Sequence, residues 1–555
     1  MTFNTASFVI QVAALVLVLA ALHKPLGVYL VRVFEDRTSA RPERLFYRLA
    51  GVDAGTEQTW PVYLRSVLAF SAVSILLVFV LQRLQGLLPG SGSLAGVDPW
   101  VAMNTAISFV TNTDWQTYVP ETTVGIFVQM CLLAVQNFLS AAVGIVVAVA
   151  LIRGIARTRT DRLGNFWVDL ARTSFRVLLP MAAVAAVVMV IGGVVQNFWA
   201  TDVTNPASGV RQIIPGGPVA SQEAIKILGT NGGGYFNANS AHPFENPSVF
   251  VSLFQVFLLL LIPSALPYAY GRMVGDRRQG YTVAAVMASL WLASAALTGM
   301  AVASAQGTAT AAAGGLGEGL EQRFGAAPSA IFAASTTLTS TGAVNVAHDS
   351  LPPLAGGSAM VNMMLGEVAP GGTGSGLYGL LVLSIISVFI AGLMVGRTPE
   401  FLGKKVGPKE MKLTALYILV TPVVVLALAG VTVLLPDVMA NAPAAGPHKF
   451  SEVLYAFTSA ANNNGSAFGG ITTSGPYLST VLGIGMLLGR FLPIVLVLAL
   501  AGSLARQAEV PASSGTVPTH GPLFGSLLLG VTVILTALSY FPALSLGPLA
   551  EGLLK

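Results

Sequence analysis

The chain has 555 residues, of which 54% are hydrophobic and only 10% charged, with a formal net charge of +5. Soluble domains carry roughly a quarter charged residues, so this composition excludes a water-soluble multidomain protein. It fits a chain whose solvent is a bilayer, where about 20 apolar residues make one crossing.

Ten apolar runs of that length occur, at about 8–32, 62–86, 122–152, 174–198, 248–271, 281–304, 376–396, 412–436, 478–504 and 522–548. The first is preceded by residues 1–7, which contain no Lys or Arg, whereas Lys24 and Arg32 follow its apolar stretch. A secretory signal needs a basic start, so this run reads as a retained helix entering from outside. Basic residues cluster over Lys24–Arg65, Arg153–Arg176, Arg272–Arg278 and Arg397–Lys412, in alternate connections. By the positive-inside rule those connections are cytoplasmic, which leaves both termini outside. The opposite connections hold only Arg211, Lys226, Arg323 and Lys449. Such alternation explains the net charge without a nucleic-acid partner.

Each opposite connection carries a short polar segment: Thr111–Gln116 (TNTDWQ), Thr230–Gly234 (TNGGG), Ser340–Asn345 (STGAVN) and Asn462–Ser466 (NNNGS). A short helix leads into each one. The first spans 99–109, with Asp98 as N-cap and Pro99 at the first helical position. The second is expected to open on Ser221 and the fourth on Ser451, each followed by an acid, while the third covers 328–338. All are too short to span, so they fit half-membrane helices that return outward. Non-helical backbone survives at membrane depth only beside a cavity or inside protein.

The expected fold is an all-α polytopic membrane protein with ten transmembrane helices. Its inner eight form four pseudo-symmetric helix–pore loop–helix repeats, with one extra helix at each end. The boundaries read 1–58 for the first helix and its loop, then 59–160, 161–279, 280–405 and 406–510 for the repeats, and 511–555 for the last helix. Pseudo-symmetric repeats place a site on their common axis. In the third repeat the stretch Gly366–Gly376 (GEVAPGGTGSG) should break a helix. It reads either as an outer loop before an ordinary span or as a flexible gate under the axis.

A dehydrated monovalent cation needs several oxygens, and backbone carbonyls supply them without a charge that binds too tightly to release. Gly232, Gly342 and Gly465 each follow Thr or Asn, and glycine reaches the backbone angles that aim carbonyls inward. The first segment has Asp114 where the others have glycine, so the symmetry is imperfect. Asp114 and Gln116 read as mouth residues that draw cations, or Asp114 as a merely solvated acid. Arg490 interrupts an apolar span, and an intramembrane charge is a functional hypothesis by default. It reads as a barrier to leakage below the axis or as a side chain snorkelling to the interface.

Cys131 stands alone, so no disulfide framework exists. The five histidines are far apart, and none shows a ligand-spaced carboxylate, so no metal other than the transported ion is expected. There is no phosphate-binding loop, no DKTG phosphorylation sequence and no hydrolytic triad or carboxylate pair. The chain cannot hydrolyse ATP by itself and binds no nucleotide.

The segments Asn104–Gln116 (NTAISFVTNTDWQ), Leu228–Asn239 (LGTNGGGYFNAN), Thr339–Ser350 (TSTGAVNVAHDS), Gly374–Lys405 (with SGLYG and GRTPEFLGKK), Ser459–Phe468 (SAANNNGSAF) and Ser513–Pro522 (SSGTVPTHGP) resemble the potassium-binding A-subunit family of the bacterial Kdp complex, a potassium-transporting P-type ATPase. The resemblance runs nearly end to end. It implies a fold of the potassium channel and transporter superfamily in the bacterial cell (inner) membrane, among membrane lipids. It also implies partners: an ATP-hydrolysing B subunit, a C subunit and a small single-span subunit. Potassium would pass sideways through an intramembrane tunnel to the B subunit. Carried over by position, Asn112, Thr113, Thr230, Asn231, Gly232, Ser340, Thr341, Gly342, Asn463, Asn464 and Gly465 form the selectivity filter. Gln116 resembles the family's filter-edge glutamine, whereas Asp114 stands where the family pattern has Asn. Gly371, Gly372 and Gly374 are the gate candidates. The rival reading is an autonomous channel-like potassium uptake protein driven by membrane potential or ion coupling.

Overall fold

The structure, a computed structural model, describes residues 3–36, 38–304, 323–394, 396, 399–440, 442–511 and 516–553. The expected basic residue Arg397 and the start of the Ser513–Pro522 match lie outside them. Among the described residues ten helices are long and apolar enough to cross a membrane. These are α1 (Thr5–Glu35), α2 (Trp60–Arg83), α4 (Val128–Ala156), α5 (Phe166–Ile191), α7 (Val249–Met273), α8 (Arg277–Ser304), α11 (Ser375–Met394), α12 (Pro408–Val433), α14 (Pro476–Arg506) and α15 (Pro522–Leu546). Each coincides with one of the ten apolar runs. The chain is an all-α, multi-pass membrane protein.

Four short helices lie between spans: α3 (Pro99–Val110), α6 (Val219–Leu228), α9 (Ala326–Leu338) and α13 (Gly446–Asn462). Asp98 caps α3 as expected, its side chain accepting from the Trp100 and Val101 N–H groups. Such a cap is worth about 1 kcal/mol. The other two expected caps are corrected. α6 begins after Pro218, and the Ser221 N–H goes instead to Gln196 Oε1 at 3.0 Å. α13 begins at Gly446 with Pro447 in its first turn, so Ser451 lies inside the helix and bonds back to Pro447 O at 3.2 Å. Pro218 just before α6 and Pro447 at the second position of α13 supply the starts that serine was expected to give.

Burial divides the spans. In the apolar window of α4, 89% of residues are buried, against 11% in α1. α4 is rich in Ala and Val, and its buried residues run all round it, the pattern of a helix enclosed by others. It packs against α3, α6, α11 and α14. α1 leans mainly on α7 and otherwise faces outward.

The third repeat departs from its siblings. Its outgoing span is split into α10 (Pro353–Met364) and α11, joined by turns over Leu365–Gly374 that are buried from Glu367 onward. The reading of this stretch as an outer loop is therefore overturned. A short C-terminal helix, α16 (Pro548–Leu553), packs against α10 and α13.

Candidate functional site: four helix ends on one axis

The four short helices end in the same way. Asn112, Thr230, Ser340 and Asn463 adopt left-handed backbone, with φ of 65°, 50°, 50° and 59°. The next N–H reaches back five residues in every case. Thr113 N bonds Ser108 O at 3.0 Å, Asn231 N bonds Lys226 O at 2.9 Å, Thr341 N bonds Thr336 O at 3.2 Å and Asn464 N bonds Ser459 O at 2.9 Å. This six-to-one bond behind a left-handed residue is the Schellman ending. It turns the chain sharply out of the helix, so the following carbonyls no longer point along the helix axis. The matching geometry fixes the register among the repeats: Thr113, Asn231, Thr341 and Asn464 correspond, followed by Asp114, Gly232, Gly342 and Gly465.

These endings converge. A methyl group on Gly232 would collide with Thr113 O and lie 3.0 Å from Asn464 O. One on Gly465 would strike Thr113 O and lie 3.2 Å from the Gly232 Cα, and one on Gly342 would strike Asn464 O. Main-chain oxygens of different repeats are thus packed where only glycine leaves room. Thr113, Asn231, Thr341 and Asn464 are fully buried.

Asn112 and Asn463 link three of the four endings to one another. Asn112 Nδ2 donates to Thr230 O at 2.8 Å, and Asn112 Oδ1 accepts from Ser140 Oγ at 2.9 Å and Asn231 Nδ2 at 2.8 Å. Asn463 Nδ2 donates to Thr113 Oγ1 at 2.9 Å and to Met486 O at 3.0 Å. The third ending has a local brace, Thr339 Oγ1 to Thr341 Oγ1 at 2.6 Å, which matches Thr111 Oγ1 to Thr113 Oγ1 at 2.8 Å in the first. Its bond to a neighbouring ending comes from Asn464 Nδ2, which donates to Thr336 O at 3.1 Å.

Above the endings opens a cavity of about 610 Å³, lined among others by Trp115, Gln116, Gly233, Gly342 and Gly465. Gln116 uses both ends of its amide on the second segment, accepting from Gly234 N at 3.0 Å and donating to Gly234 O at 3.2 Å. Asp114 is fully buried with φ of 54°, and neither carboxylate oxygen has a hydrogen-bond partner among the described residues. It is no solvated surface acid.

Below the endings lies the broken helix. Thr373 donates from its N–H to Thr230 Oγ1 at 3.0 Å and from its hydroxyl to Gly229 O at 3.2 Å. The Gly371 N–H bonds Leu338 O at 3.1 Å. Gly372 lies against the Ser340 side chain, and Gly374 (φ 93°) is pressed on the Gly144 backbone of α4. Arg490 is buried at the middle of α14 and donates to Ser140 O at 3.3 Å, with Nε unpaired among the described residues. It does not snorkel. Beside it a cavity of about 100 Å³ runs from Ser340 and Asn463 past Tyr378 and Tyr417 towards Thr532 and Thr536.

Several buried groups at the site escaped the sequence reading. Glu367, in the helix break, accepts from Asn464 Nδ2 at 2.7 Å and leaves Oε2 unpaired among the described residues. Lys226 sits between Glu223 Oε2 at 2.6 Å and Glu245 Oε2 at 2.9 Å, all three buried. Glu245 Oε1 accepts from Phe236 N at 2.8 Å, and Asn239 binds both Lys226 Nζ and Gly233 O. This buried ion triad fixes the chain leaving the second segment. The absence of a ligand-spaced carboxylate beside any histidine also fails. Glu452 lies one helical turn beyond His448, and Asp349 approaches from another repeat.

Fold and site together define a channel-like membrane protein with four re-entrant hairpins around one axis. The crystal structure of the potassium transporter TrkH from Vibrio parahaemolyticus has a similar fold, with a TM-score of 0.54 over 88% of this chain and 97% of that one, at 15% identity. The model of the potassium-transporting ATPase A-subunit family matches residues 13–553, and the chain belongs to that family. It is 59% identical to the potassium-transporting ATPase potassium-binding subunit of Clavibacter michiganensis subsp. michiganensis, over 99% of this chain and 100% of that protein. Proteins of the same description from Mycobacterium avium (strain 104) and Streptomyces coelicolor are 58% and 56% identical, over 99% and 98% of this chain.

Proposed function

We propose that this chain is the potassium-binding subunit of an ATP-driven uptake complex, and that the four converging helix ends are its selectivity filter. The observation that carries this reading is the packing of Thr113 and Asn464 carbonyl oxygens against Gly232, Gly342 and Gly465. Oxygens crowded on one axis replace the hydration shell of a monovalent cation. Asn112, Thr230, Ser340 and Asn463 set the turn, and Thr113, Asn231, Thr341 and Asn464 present the oxygens. Asp114 and Glu367 carry buried carboxylate oxygens without partners, and a cation nearby offsets the cost of burying them.

Potassium enters from the wide cavity, with Gln116 bracing the filter edge. Gly371, Gly372 and Gly374 form a gate under the filter, and Arg490 repels the ion from a straight exit to the cytoplasm. The small cavity beside Arg490 begins the sideways tunnel to the ATP-hydrolysing B subunit. A C subunit and a small single-span subunit complete the complex in the bacterial inner membrane, with both termini of this chain outside. This chain binds potassium and no nucleotide.

Reconstitution of the complex with Gly232→Asp tests the filter: high-affinity potassium uptake should be lost, and unchanged uptake at low external potassium would overturn the assignment. The chain in vesicles without its partners should pass little potassium, since vigorous passive flux belongs to an autonomous channel. Arg490→Gln should raise passive leak through the intact complex severalfold, and an unaltered leak would remove the barrier role.

A further inference from the structure

A second cluster of ligand-type side chains lies on the mouth side of the fourth ending, away from the axis. Asp349 sits on the turn His348–Ser350, His448 and Glu452 are one turn apart on α13, and Glu551 belongs to α16. His448 Nε2 lies 2.7 Å from Asp349 Oδ1, and its Nδ1 lies 3.0 Å from Glu551 Oε2. One ligand atom each from Asp349, His448 and Glu452 falls within 4.8 Å of the other two. Glu452 is 3% exposed, and its Oε2 has no hydrogen-bond partner among the described residues. Lys449, its neighbour in sequence, donates instead to Met439 O at 2.8 Å. Three carboxylates therefore surround one imidazole, and one of their buried oxygens points at no donor.

We propose that Asp349, His448 and Glu452 bind a single divalent transition-metal ion, of which Zn²⁺ is the best match. His448 Nε2 and one oxygen from each carboxylate are its ligands, with water in the fourth position. Glu551 takes the other ring N–H, the partner that metal-bound histidines use to fix tautomer and orientation. A nitrogen among oxygens selects zinc-like ions over magnesium or calcium. Zinc bonds of about 2.0–2.2 Å set ligand atoms about 3.4 Å apart, so on binding the 2.7 Å contact between His448 Nε2 and Asp349 Oδ1 opens slightly while the wider separations, within 4.8 Å, close. The proton between Nε2 and Asp349 leaves to solvent as the metal enters.

The ion would tie together the third ending, the fourth pore helix and the C-terminal helix. From His448 a continuous stack leads to the filter. The imidazole is stacked on Phe468 with centroids 5.7 Å apart, and Phe468 on Tyr455 at 4.2 Å. Tyr455 Oη lies 2.7 Å from Ser466 Oγ, which donates to Asn464 Oδ1 at 2.6 Å. Metal occupancy would therefore stiffen the fourth ending from outside.

The test is independent of the potassium reading. The full complex, stripped with chelator, is titrated with ZnCl₂ in a calorimeter, and retained metal is counted by mass spectrometry after desalting. One saturable Zn²⁺ per chain is expected. His448→Ala and Glu452→Gln should each weaken it at least tenfold. Glu551→Gln keeps all three ligands and the fold of α13, and should still weaken binding about tenfold through the lost orienting bond. Absence of saturable binding, or binding that all three variants leave unchanged, overturns the proposal and leaves the cluster an ion-pair clamp.

Discussion

Among the four converging helix endings, the first, second and fourth differ from the third. Those three are tied to one another by side-chain amides: Asn112 to Thr230 and Asn231, and Asn463 to Thr113. The third is tied to a neighbour only by Asn464 Nδ2 among these amides and keeps its local Thr339–Thr341 brace; the turns of the broken helix pack under it, where Gly372 meets Ser340, and bond the second ending through Thr373. The small cavity by Arg490 is lined by Ser340 of the third ending and Asn463 of the fourth. Hydrogen-bonded amides in a low-dielectric interior hold carbonyls in place, whereas glycine-rich turns yield. The difference teaches that the proposed filter would have a rigid flank, bonded across endings, and a yielding flank with fewer such bonds, beside which the proposed exit lies.

Breaking the rigid flank at its support should have the largest effect. Lys226→Met leaves Glu223 and Glu245 buried without a counter-charge, a loss of about 3–5 kcal/mol. Thermal unfolding of the purified complex should show a large fall in stability, and an unchanged melting curve would mean the triad is not the anchor.

Gly465→Ala comes next. The added methyl overlaps Thr113 O, so the potassium concentration for half-maximal ATPase activity should rise about 100-fold, equivalent to roughly 2.7 kcal/mol. A change below threefold would contradict close packing of these oxygens. Asn112→Ala removes three buried bonds at once, and half-saturation should shift about tenfold.

The smallest shift belongs to the other flank. Thr341→Val removes only the local Thr339–Thr341 brace and should move half-saturation by about two- to threefold. If Thr341→Val proves as damaging as Asn112→Ala, the two flanks are equivalent and the asymmetry is an illusion of geometry.

Much of this molecule was legible in its residues. Spans follow from apolar length alone, and all ten stand where the runs lie. The four segments were legible as turns because each sets a polar residue at the end of a short helix; left-handed backbone suits Asn112 and Asn463, whereas Thr230 and Ser340 adopt it against their own preference. Helix starts were less so, since Pro218 and Pro447 displaced the serines expected as caps. Buried charge was not legible: Glu367 and Asn464 are 97 positions apart, and Lys226 and Glu245 are 19 apart. No local pattern links such partners. The His448–Glu452 spacing is local, but the third member of that cluster, Asp349, comes from another repeat.

Thallium or rubidium anomalous diffraction from the intact complex bears most directly on the filter. An anomalous peak on the axis among the main-chain oxygens of Thr113, Asn231, Thr341 and Asn464 is the result expected. Well-ordered filter density with the ion bound only elsewhere would contradict it.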